Sequence, residues 1–255
     1  MVTKVKNQGN SMTNTINTLV FKPLYEQIKT VITESLIAGE WKPGESIPSE
    51  MDLAARYGVS QGTVRKAIDA LAKENIVVRR QGKGTFVSTH KEENSKLRFL
   101  RLTSADGSKE ILENELLECN RIKVNAEISK LTGLKIGTAI IEIKRLLTFS
   151  QRPVILDYII VQAKSFKGLN ATKIKENNGS LYSMYETLYG VPMVRAEEKL
   201  SAIMATEEQA SLLNVAAGFP LLSIERVAYT YGDKPMEWRL GLCVTDEQHY
   251  MNFLE

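Results

Sequence analysis

Residues 79–86, RRQGKGTF, concentrate positive charge in a short segment that contains two glycines. Two arginines precede Lys83, and Lys83 lies between Gly82 and Gly84. Glycine allows a backbone to approach a phosphate group closely, and basic side chains bind phosphate oxygens. The segment therefore suits one of two partners, the phosphates of a bound nucleotide or the backbone of a nucleic acid.

The nucleotide alternative requires a pattern that this segment lacks. A Walker loop has a glycine, four residues and then Gly-Lys-Ser/Thr, and a helix follows whose N-terminus binds phosphate. Here Lys83 is followed by Gly84, and the next residues, TFVST, favour a strand because they are mostly β-branched or aromatic. We therefore predict a β-hairpin whose tip brings Lys83 to DNA phosphates or to a minor-groove edge.

The residues before this hairpin predict a helix-turn-helix. Apolar residues recur at helical spacing over residues 23–39, and a segment with two glycines and two prolines follows. Ser49 and Asp52 have the spacing of a capping box for a short second helix, which Gly58 can end. Ser60 is a good N-cap for a third, longer helix.

The third helix is predicted to present a polar face to the outside. Gln61 and Arg65 are four residues apart and share one stripe of the helix. Arginine can bind guanine through two hydrogen bonds and glutamine can bind adenine in the same way, each with about 1–3 kcal/mol of discrimination. A solvated helix face is the alternative, but six basic and only two acidic residues lie between Ser60 and Lys83. The charge and the neighbouring elements favour DNA binding.

The second part of the chain contains an internal repeat with an offset of 81 residues, in which Gly137 matches Gly218 and Arg145 matches Arg226. Each copy is interpreted as helix, loop, long strand, turn and strand. Two such units side by side predict one antiparallel sheet with helices on one face. The fold class is therefore α+β.

Residues 23–87 resemble the winged-helix domain of the GntR family of bacterial transcription regulators, through PGE, PSE, TVR and RRQGKGTFV. The resemblance implies that the third helix enters the major groove, that the hairpin enters the minor groove, and that homodimers bind palindromic double-stranded DNA operators. Two departures, Met51 and Gln61, stand where the family usually has arginine, which implies a different operator. The expected DNA-binding residues are Ser49, Gln61, Thr63, Arg65, Lys66, Gly82, Lys83 and Gly84.

Residues 97–255 resemble the UTRA ligand-binding domain of the HutC subgroup, whose fold is chorismate-lyase-like. The segments that carry this resemblance are IEIKRLLTFSQRPVILDYIIV, GSLYSMYETLYGV and LLSIERVAYTYGDKPMEW. It implies a site for a small effector of the carboxylate or sugar-phosphate type. The expected effector-binding residues are Arg145, Asp157, Ser180, Tyr182 and Glu237.

Several of these residues also have a structural alternative. Ser180 at a helix N-terminus beside Arg145 suits an anion, but Ser180 can also be only a helix cap. The two arginines of the repeat can pair with Asp157 or Glu237 across strands, and Tyr182 can be a core residue. Leu147 replaces a second arginine of the subgroup, which makes a phosphate dianion a poorer ligand than a carboxylate.

The predicted organisation is a flexible N-terminus at residues 1–20, a winged helix-turn-helix domain at 21–88, a linker at 89–96 and a UTRA-like domain at 97–255. The two cysteines and two histidines have no metal-like spacing, so neither a metal nor a cofactor is expected. No apolar run has the length of a signal peptide or a membrane span, which predicts a cytoplasmic protein that does not enter membranes.

These features predict a sequence-specific transcription regulator, a repressor, whose operator affinity is controlled by a small anionic metabolite. The ligand is expected to change the relative placement of the two DNA-binding domains of a homodimer through the linker. One alternative is an enzyme, but the sequence has no recognisable nucleophile, acid/base pair or metal cluster, so no catalytic residue is assigned. The other alternative is a protein that coats DNA without sequence preference.

Overall fold

The computed structural model describes residues 22–90, 101–105, 107, 112–177 and 180–252. The expected flexible N-terminus and residues 91–96 of the expected linker lie outside the described residues. The helices are α1 (Leu24–Ile37), α2 (Glu50–Tyr57), α3 (Gln61–Lys73), α4 (Ala126–Thr132), α5 (Ala171–Glu176), α6 (Leu181–Tyr189) and α7 (Glu207–Leu213), with one 3-10 turn (Tyr231–Asp233). The strands are β1 (Val77–Arg80), β2 (Gly84–Val87), β3 (Leu102–Ser104), β4 (Leu112–Lys123), β5 (Ala139–Phe149), β6 (Arg152–Gln162), β7 (Arg195–Met204), β8 (Pro220–Thr230), β9 (Lys234–Cys243) and β10 (Gln248–Tyr250).

The N-terminal helices begin and end as their cap residues predict. The Ser49 hydroxyl accepts a hydrogen bond from the Asp52 backbone N–H, and the capping box at the start of α2 is complete. Gly58 ends α2 in the left-handed conformation, with φ of 65°. The Ser60 hydroxyl accepts from the Thr63 N–H and caps α3. The predicted helix-turn-helix is thus confirmed, and its core contains the side chains Ile28, Ile32, Leu53, Val64, Ile68 and Leu71.

The predicted hairpin follows α3. Strand β1 pairs with β2 in antiparallel register, and Arg80 lies opposite Gly84. A third extended stretch supports it, because the Ile47 N–H donates to the Thr85 carbonyl at 2.9 Å. Gly82 and Gly84 have φ of 70° and 107°, a conformation that favours glycine, and this explains the two glycines around Lys83. We call this hairpin the wing.

The C-terminal domain is built around a six-stranded antiparallel sheet in the order β4-β5-β6-β9-β8-β7. The predicted repeat is visible in it, because α4 with β5 and β6 matches α7 with β8 and β9. The two helices have side-chain N-caps at matched positions, Asn125 and Thr206, and left-handed C-caps at Gly133 and Asn214. The matched pairs meet at the centre of the sheet, where β6 and β9 are neighbours.

Helices cover both faces of this sheet, so the expectation of helices on one face was wrong. The two repeat helices pack on one face, through Ile128 of α4 and Leu213 of α7. Helices α5 and α6 pack on the other face, through Ile174 and Met184. The physical reason is that the central strands carry apolar side chains on both faces, and each face has to be shielded from water.

The two domains contact each other directly. Val194 and Tyr231 of the C-terminal domain join the apolar core that α1 forms with α3. Thr89 and His90, the first residues of the expected linker, are held by the C-terminal domain. The Thr89 hydroxyl and the His90 backbone N–H both donate to the Glu186 carboxylate on α6. The first two residues of the expected linker are therefore fixed to α6.

Candidate DNA interface and effector site

An open groove lies between the start of α3 and the wing. Its walls include the α2 N-terminus, Gln61 and wing residues 79–85. The groove brings together residues that are more than thirty positions apart in the sequence. The start of a helix beside a basic hairpin is an arrangement that can contact a DNA groove and its phosphates at the same time.

The expected residues of α3 differ in how free they are. Arg65 and Lys66 are exposed, while Thr63 is partly buried and its hydroxyl lies 2.9 Å from the Ser60 hydroxyl. Arg65 Nε donates to Glu50 Oε2 at 2.9 Å, and Gln61 Nε2 lies 3.4 Å from the same oxygen. The exposed face of α3 is therefore organised around a carboxylate of α2, which the sequence did not single out.

The wing has a free tip and a fixed base. Lys83 is exposed at the tip. Arg79, at the base, donates to Glu50 at 2.9 Å and also to Asp69 of α3. Arg80 lies over the ring of Phe86, with its guanidinium carbon 4.7 Å from the ring centroid. Lys83 can therefore meet a phosphate from the exposed wing tip, whereas Arg79 would have to give up its ion pairs with Glu50 and Asp69.

The second constellation lies on the sheet face that α6 covers. Asp157 of β6 is fully buried and accepts from two guanidinium groups. Arg239 donates through Nε at 2.7 Å and pairs again through Nη2 at 2.6 Å, while Arg145 donates through Nε at 2.9 Å. Burial lowers the pKa of the Arg239 guanidinium, but Asp157, Tyr182 and Glu237 together more than offset this, and the pKa is raised overall. We call these three residues the central triad.

Arg226 and Glu198 form a neighbouring pair on the same face, with Arg226 buried and Glu198 partly buried. Arg226 Nε donates to Glu198 Oε1 at 2.7 Å, and the Tyr250 hydroxyl donates to the same carboxylate. Burial and this contact with Glu198 raise the pKa of Tyr250 to about 12. Arg226 lies opposite Arg239 in the β8–β9 register, so this pair lies next to the central triad.

Glu237 lies two residues along β9 from Arg239, beneath α6. The Tyr182 hydroxyl donates to Glu237 Oε1 at 2.7 Å. The other carboxylate oxygen, Oε2, is buried and has no hydrogen-bond partner among the described residues. Burial raises the pKa of Glu237, and the nearby arginines and Tyr182 oppose this only in part. Glu237 is therefore more easily protonated than an exposed glutamate.

A small, partly enclosed cavity of about 10 Å³ lies beside these pairs, and its lining includes Arg101, Arg226, Arg239, Gly241 and Cys243. Gly241 forms its floor, because a Cβ atom there would lie 3.3 Å from Asp157 Oδ1. Burial raises the pKa of the Cys243 thiol to about 12, so the thiol stays neutral. A cavity of this size holds about one water molecule, so a metabolite can enter only when the side chains that line it move apart.

Four of the five expected effector residues come together around this region, and Ser180 differs. Ser180 precedes α6 as the N-cap residue, but its hydroxyl makes no capping hydrogen bond. Its ψ is 80°, outside the extended region that N-cap residues adopt, and this directs the hydroxyl away from the helix amides. Sequence reasoning did not assign Arg239, Glu198, Tyr250 or Gly241 to the site, and the repeat offset of 81 residues matches Arg239 with Tyr158.

The described residues also bear on metal and membrane binding. They contain no group of three or more His, Cys, Asp or Glu side chains that could hold a metal ion. None of the helices described is long and apolar enough to cross a membrane.

Comparison with known families matches both parts of the chain. Residues 24–87 match the bacterial regulatory proteins of the gntR family, and residues 108–249 match the UTRA domain. The first match covers the helix-turn-helix and the wing. The second covers the six-stranded sheet, the central triad and Glu237.

Similar proteins and structures agree with these matches. The mannosyl-D-glycerate transport/metabolism system repressor MngR of Escherichia coli is 29% identical over 90% of this chain and 95% of its own length. The histidine utilization repressor of Klebsiella aerogenes is 29% identical over 80% of this chain and 83% of its own. The crystal structure of the ligand-binding domain of a Bordetella bronchiseptica protein, described as a GntR-family regulator, is 39% identical with a TM-score of 0.58, covering 61% of this chain and 96% of that one.

Proposed function

This chain belongs to the GntR family of bacterial transcription regulators and carries a UTRA effector domain, and from that premise we propose that it is a homodimeric repressor controlled by a small acid. The expected resemblance to the GntR family and its HutC subgroup is confirmed. Its family and its relatives are DNA-binding transcription regulators, and the chain is likewise a DNA-binding regulator and not an enzyme. Its place of action, in this proposal, is the cytoplasm, where its operator lies.

One observation carries the proposal. A single chain combines an exposed groove lined by basic residues with a buried, arginine-lined cavity, and residues 89–90 connect the two domains that contain them. The groove is suited to a polyanion, and the arginines that line the cavity attract a small anion. The connection provides a path by which one site can influence the other.

For DNA recognition, we propose that Arg65 and Gln61 read base edges in the major groove and that Lys83 binds a phosphate next to the minor groove. Ser49, Thr63, Lys66, Gly82 and Gly84 supply further contacts to the DNA backbone in this proposal. Each domain presents a single recognition helix, so two copies are needed to read two half-sites. A palindromic operator then follows from the two-fold symmetry of a homodimer.

For the effector, charge balance favours a monoanion. In the central triad and the adjacent pair, three arginines face two carboxylates, Asp157 and Glu198. These five side chains together carry a surplus of one positive charge. Burial of Glu237 disfavours a further negative charge beside them. Arg101 at the cavity edge adds to the attraction for an anion. We therefore propose a small carboxylic acid in preference to a sugar phosphate.

The relatives support a metabolic role. The names of two of them describe repressors of histidine utilization and of a mannosyl-D-glycerate transport and metabolism system. By analogy, we propose that this protein represses genes for the use of the small acid that it binds.

We propose that His90 carries the signal between the domains. Its Nε2 lies 2.8 Å from the Met193 carbonyl oxygen, and its ring centroid lies 5.6 Å from that of Tyr182. Tyr182 in turn donates to Glu237 at the effector site. A ligand that moves α6 therefore also moves His90, three residues after the end of the wing strand β2.

The test combines two measurements on the full-length protein. An operator is first selected from random DNA, and small monocarboxylic acids and sugar phosphates are then screened for an increase in melting temperature. We expect a monocarboxylate to stabilise the protein and to change its operator affinity. Gly241→Ala should abolish the stabilisation because its methyl group narrows the cavity, while operator binding without ligand persists. His90→Ala should retain ligand binding and lose the change in operator affinity, and Ser88→Ala is its matched control.

Three results would contradict the proposal. The first is equal competition by operator and random DNA, which would indicate a coating protein. The second is stabilisation by sugar phosphates alone, which would reject the monoanion. The third is an unchanged ligand response in His90→Ala, which would reject the connection through His90.

A further inference from the structure

The Glu50 carboxylate joins three elements at the DNA-facing groove. Glu50 is the first residue of α2, and its side chain is only 19% exposed. It accepts hydrogen bonds from Arg65 and Gln61 of α3 and from Arg79 of the wing. A single acidic side chain thus holds the donors that face the groove from two directions.

An acidic side chain in this place has a cost for DNA binding. A carboxylate in a groove that receives phosphates repels them, and it neutralises an arginine that would otherwise attract them. Glu50 lines the groove together with Lys83, so it lies within reach of the same phosphate field. If Glu50 benefits DNA binding, it does so by orienting the side chains that donate to it.

The contact with Arg65 leaves the reading end of that side chain exposed. Glu50 binds Nε, and the terminal Nη1 and Nη2 atoms make no hydrogen bond to any residue that the structure describes. These two nitrogens form the fork that matches O6 and N7 of guanine. Arginine loses much rotamer freedom when it binds, so a side chain already held at Nε loses less.

The contact with Arg79 has a different effect. Both terminal nitrogens of Arg79 are occupied, one by Glu50 and the other by Asp69 of α3. Arg79 therefore ties the base of the wing to both helices. Through this contact, Glu50 also sets the distance between the wing and the recognition helix.

We propose that Glu50 is a positioning residue for sequence recognition, which orients Arg65 toward a base edge and sets the wing relative to α3. This inference rests on the proposed role of Arg65 as a base reader. Its signature is selective: loss of the Glu50 charge weakens the preference for the operator and leaves general attraction to DNA intact or stronger.

The experiment compares Glu50→Gln with wild type in the full-length protein, on the selected operator and on random DNA of equal length. We expect the ratio of operator affinity to random-DNA affinity to fall about tenfold, the scale of one bidentate base contact, with random-DNA affinity equal or higher. Glu40→Gln is the matched control, since Glu40 pairs with Arg56 in an exposed ion pair. The control should leave the ratio unchanged.

A double-mutant cycle with Arg65→Ala separates the alternatives. If Glu50 acts through Arg65, Glu50→Gln should change the ratio little further once Arg65 is absent. Equal losses on operator and random DNA, or an unchanged ratio, would overturn the role of Glu50 while Arg65→Ala still shows its own loss. An intact operator affinity in Arg65→Ala would instead overturn the recognition assignment in the proposed function, and the role of Glu50 with it.

Discussion

The DNA-facing groove and the effector site are both built from arginines paired with carboxylates, but they differ in exposure. Arg65 is 58% exposed in its pair with Glu50, whereas Arg145 is 9% exposed in its pair with a fully buried Asp157. Water solvates the exposed pair, so its net contribution to folding is about 0–1 kcal/mol. The buried charges have lost their water and depend on each other.

This difference separates two kinds of function. An exposed arginine such as Arg65 can bind and release a base edge at little cost, which suits a surface that has to bind and release DNA. A buried arginine cannot separate from Asp157 without leaving an unpaired charge in the protein interior. The central triad therefore forms a rigid frame beside the cavity. The following predictions probe this contrast, from the largest expected effect to the smallest.

Asp157→Ala should show the largest effect, a loss of about 3–5 kcal/mol in the free energy of unfolding. The reason is that Arg145 and Arg239 would both remain buried without their shared carboxylate. Urea unfolding measures this, with Glu225→Ala as a control because Glu225 pairs with an exposed Lys199. The control should lose no more than about 1 kcal/mol. If Asp157→Ala and Glu225→Ala lost similarly small amounts of unfolding free energy, buried and exposed ion pairs would not differ in this protein as described.

Arg65→Ala should lower the operator affinity by about 1–3 kcal/mol and leave folding stability within about 0.5 kcal/mol. The loss should be confined to the operator, since Arg65 is proposed to read a base.

Lys83→Ala should instead weaken binding to all DNA sequences. It should also lower by about one the slope of log affinity against log salt concentration. Fluorescence titrations at several salt concentrations measure both. If the two variants behaved alike, the division between base reading and phosphate binding would be wrong.

Glu237→Gln should show the smallest effect, because glutamine keeps the shape of the side chain and an acceptor for Tyr182. Burial raises the pKa of Glu237 above 4.5, so the folded state binds its proton more tightly than the unfolded state does. The contribution of Glu237 to the free energy of unfolding of the wild type is present at low pH, and it is lost as the pH rises through the raised pKa of Glu237. The advantage of Glu237→Gln over wild type should therefore grow from pH 4.5 upward in urea unfolding.

Glu197→Gln provides a control of opposite sign. Hydrogen bonds from Arg195 and Tyr229 lower the pKa of the exposed Glu197, so its contribution is lost as the pH falls. The disadvantage of this variant should shrink with decreasing pH. A parallel pH dependence in the two variants would contradict the burial of charge at Glu237.

Local signals in the sequence were sufficient for much of the fold. Capping at Ser49 and Ser60, the left-handed Gly58 and the glycines of the wing are decided by neighbours within a few residues, and the structure agrees with each. The repeat could be predicted because its two copies keep the same order of caps and strands. The covering of both sheet faces was missed because α5 and α6 lie outside the repeat.

The sites were less predictable, since their contacts depend on strand register and domain packing. Arg239 reaches Asp157 over 82 residues, and Glu50 reaches Arg79 over 29 residues. No spacing rule connects such residues in a sequence. Arg145, Tyr182 and Glu237 could be named only through a family resemblance, and their role as effector ligands stays a prediction.

The internal repeat has one further consequence at the centre of the sheet. Arg145 and Arg226 occupy matched strands, but their partners in register are Asp157 in one half and Arg239 in the other. Two halves of the same design thus carry opposite charges at equivalent places. The electrostatic potential therefore changes from one side of the cavity to the other. A ligand with one anionic end and one uncharged end has one favoured orientation in it.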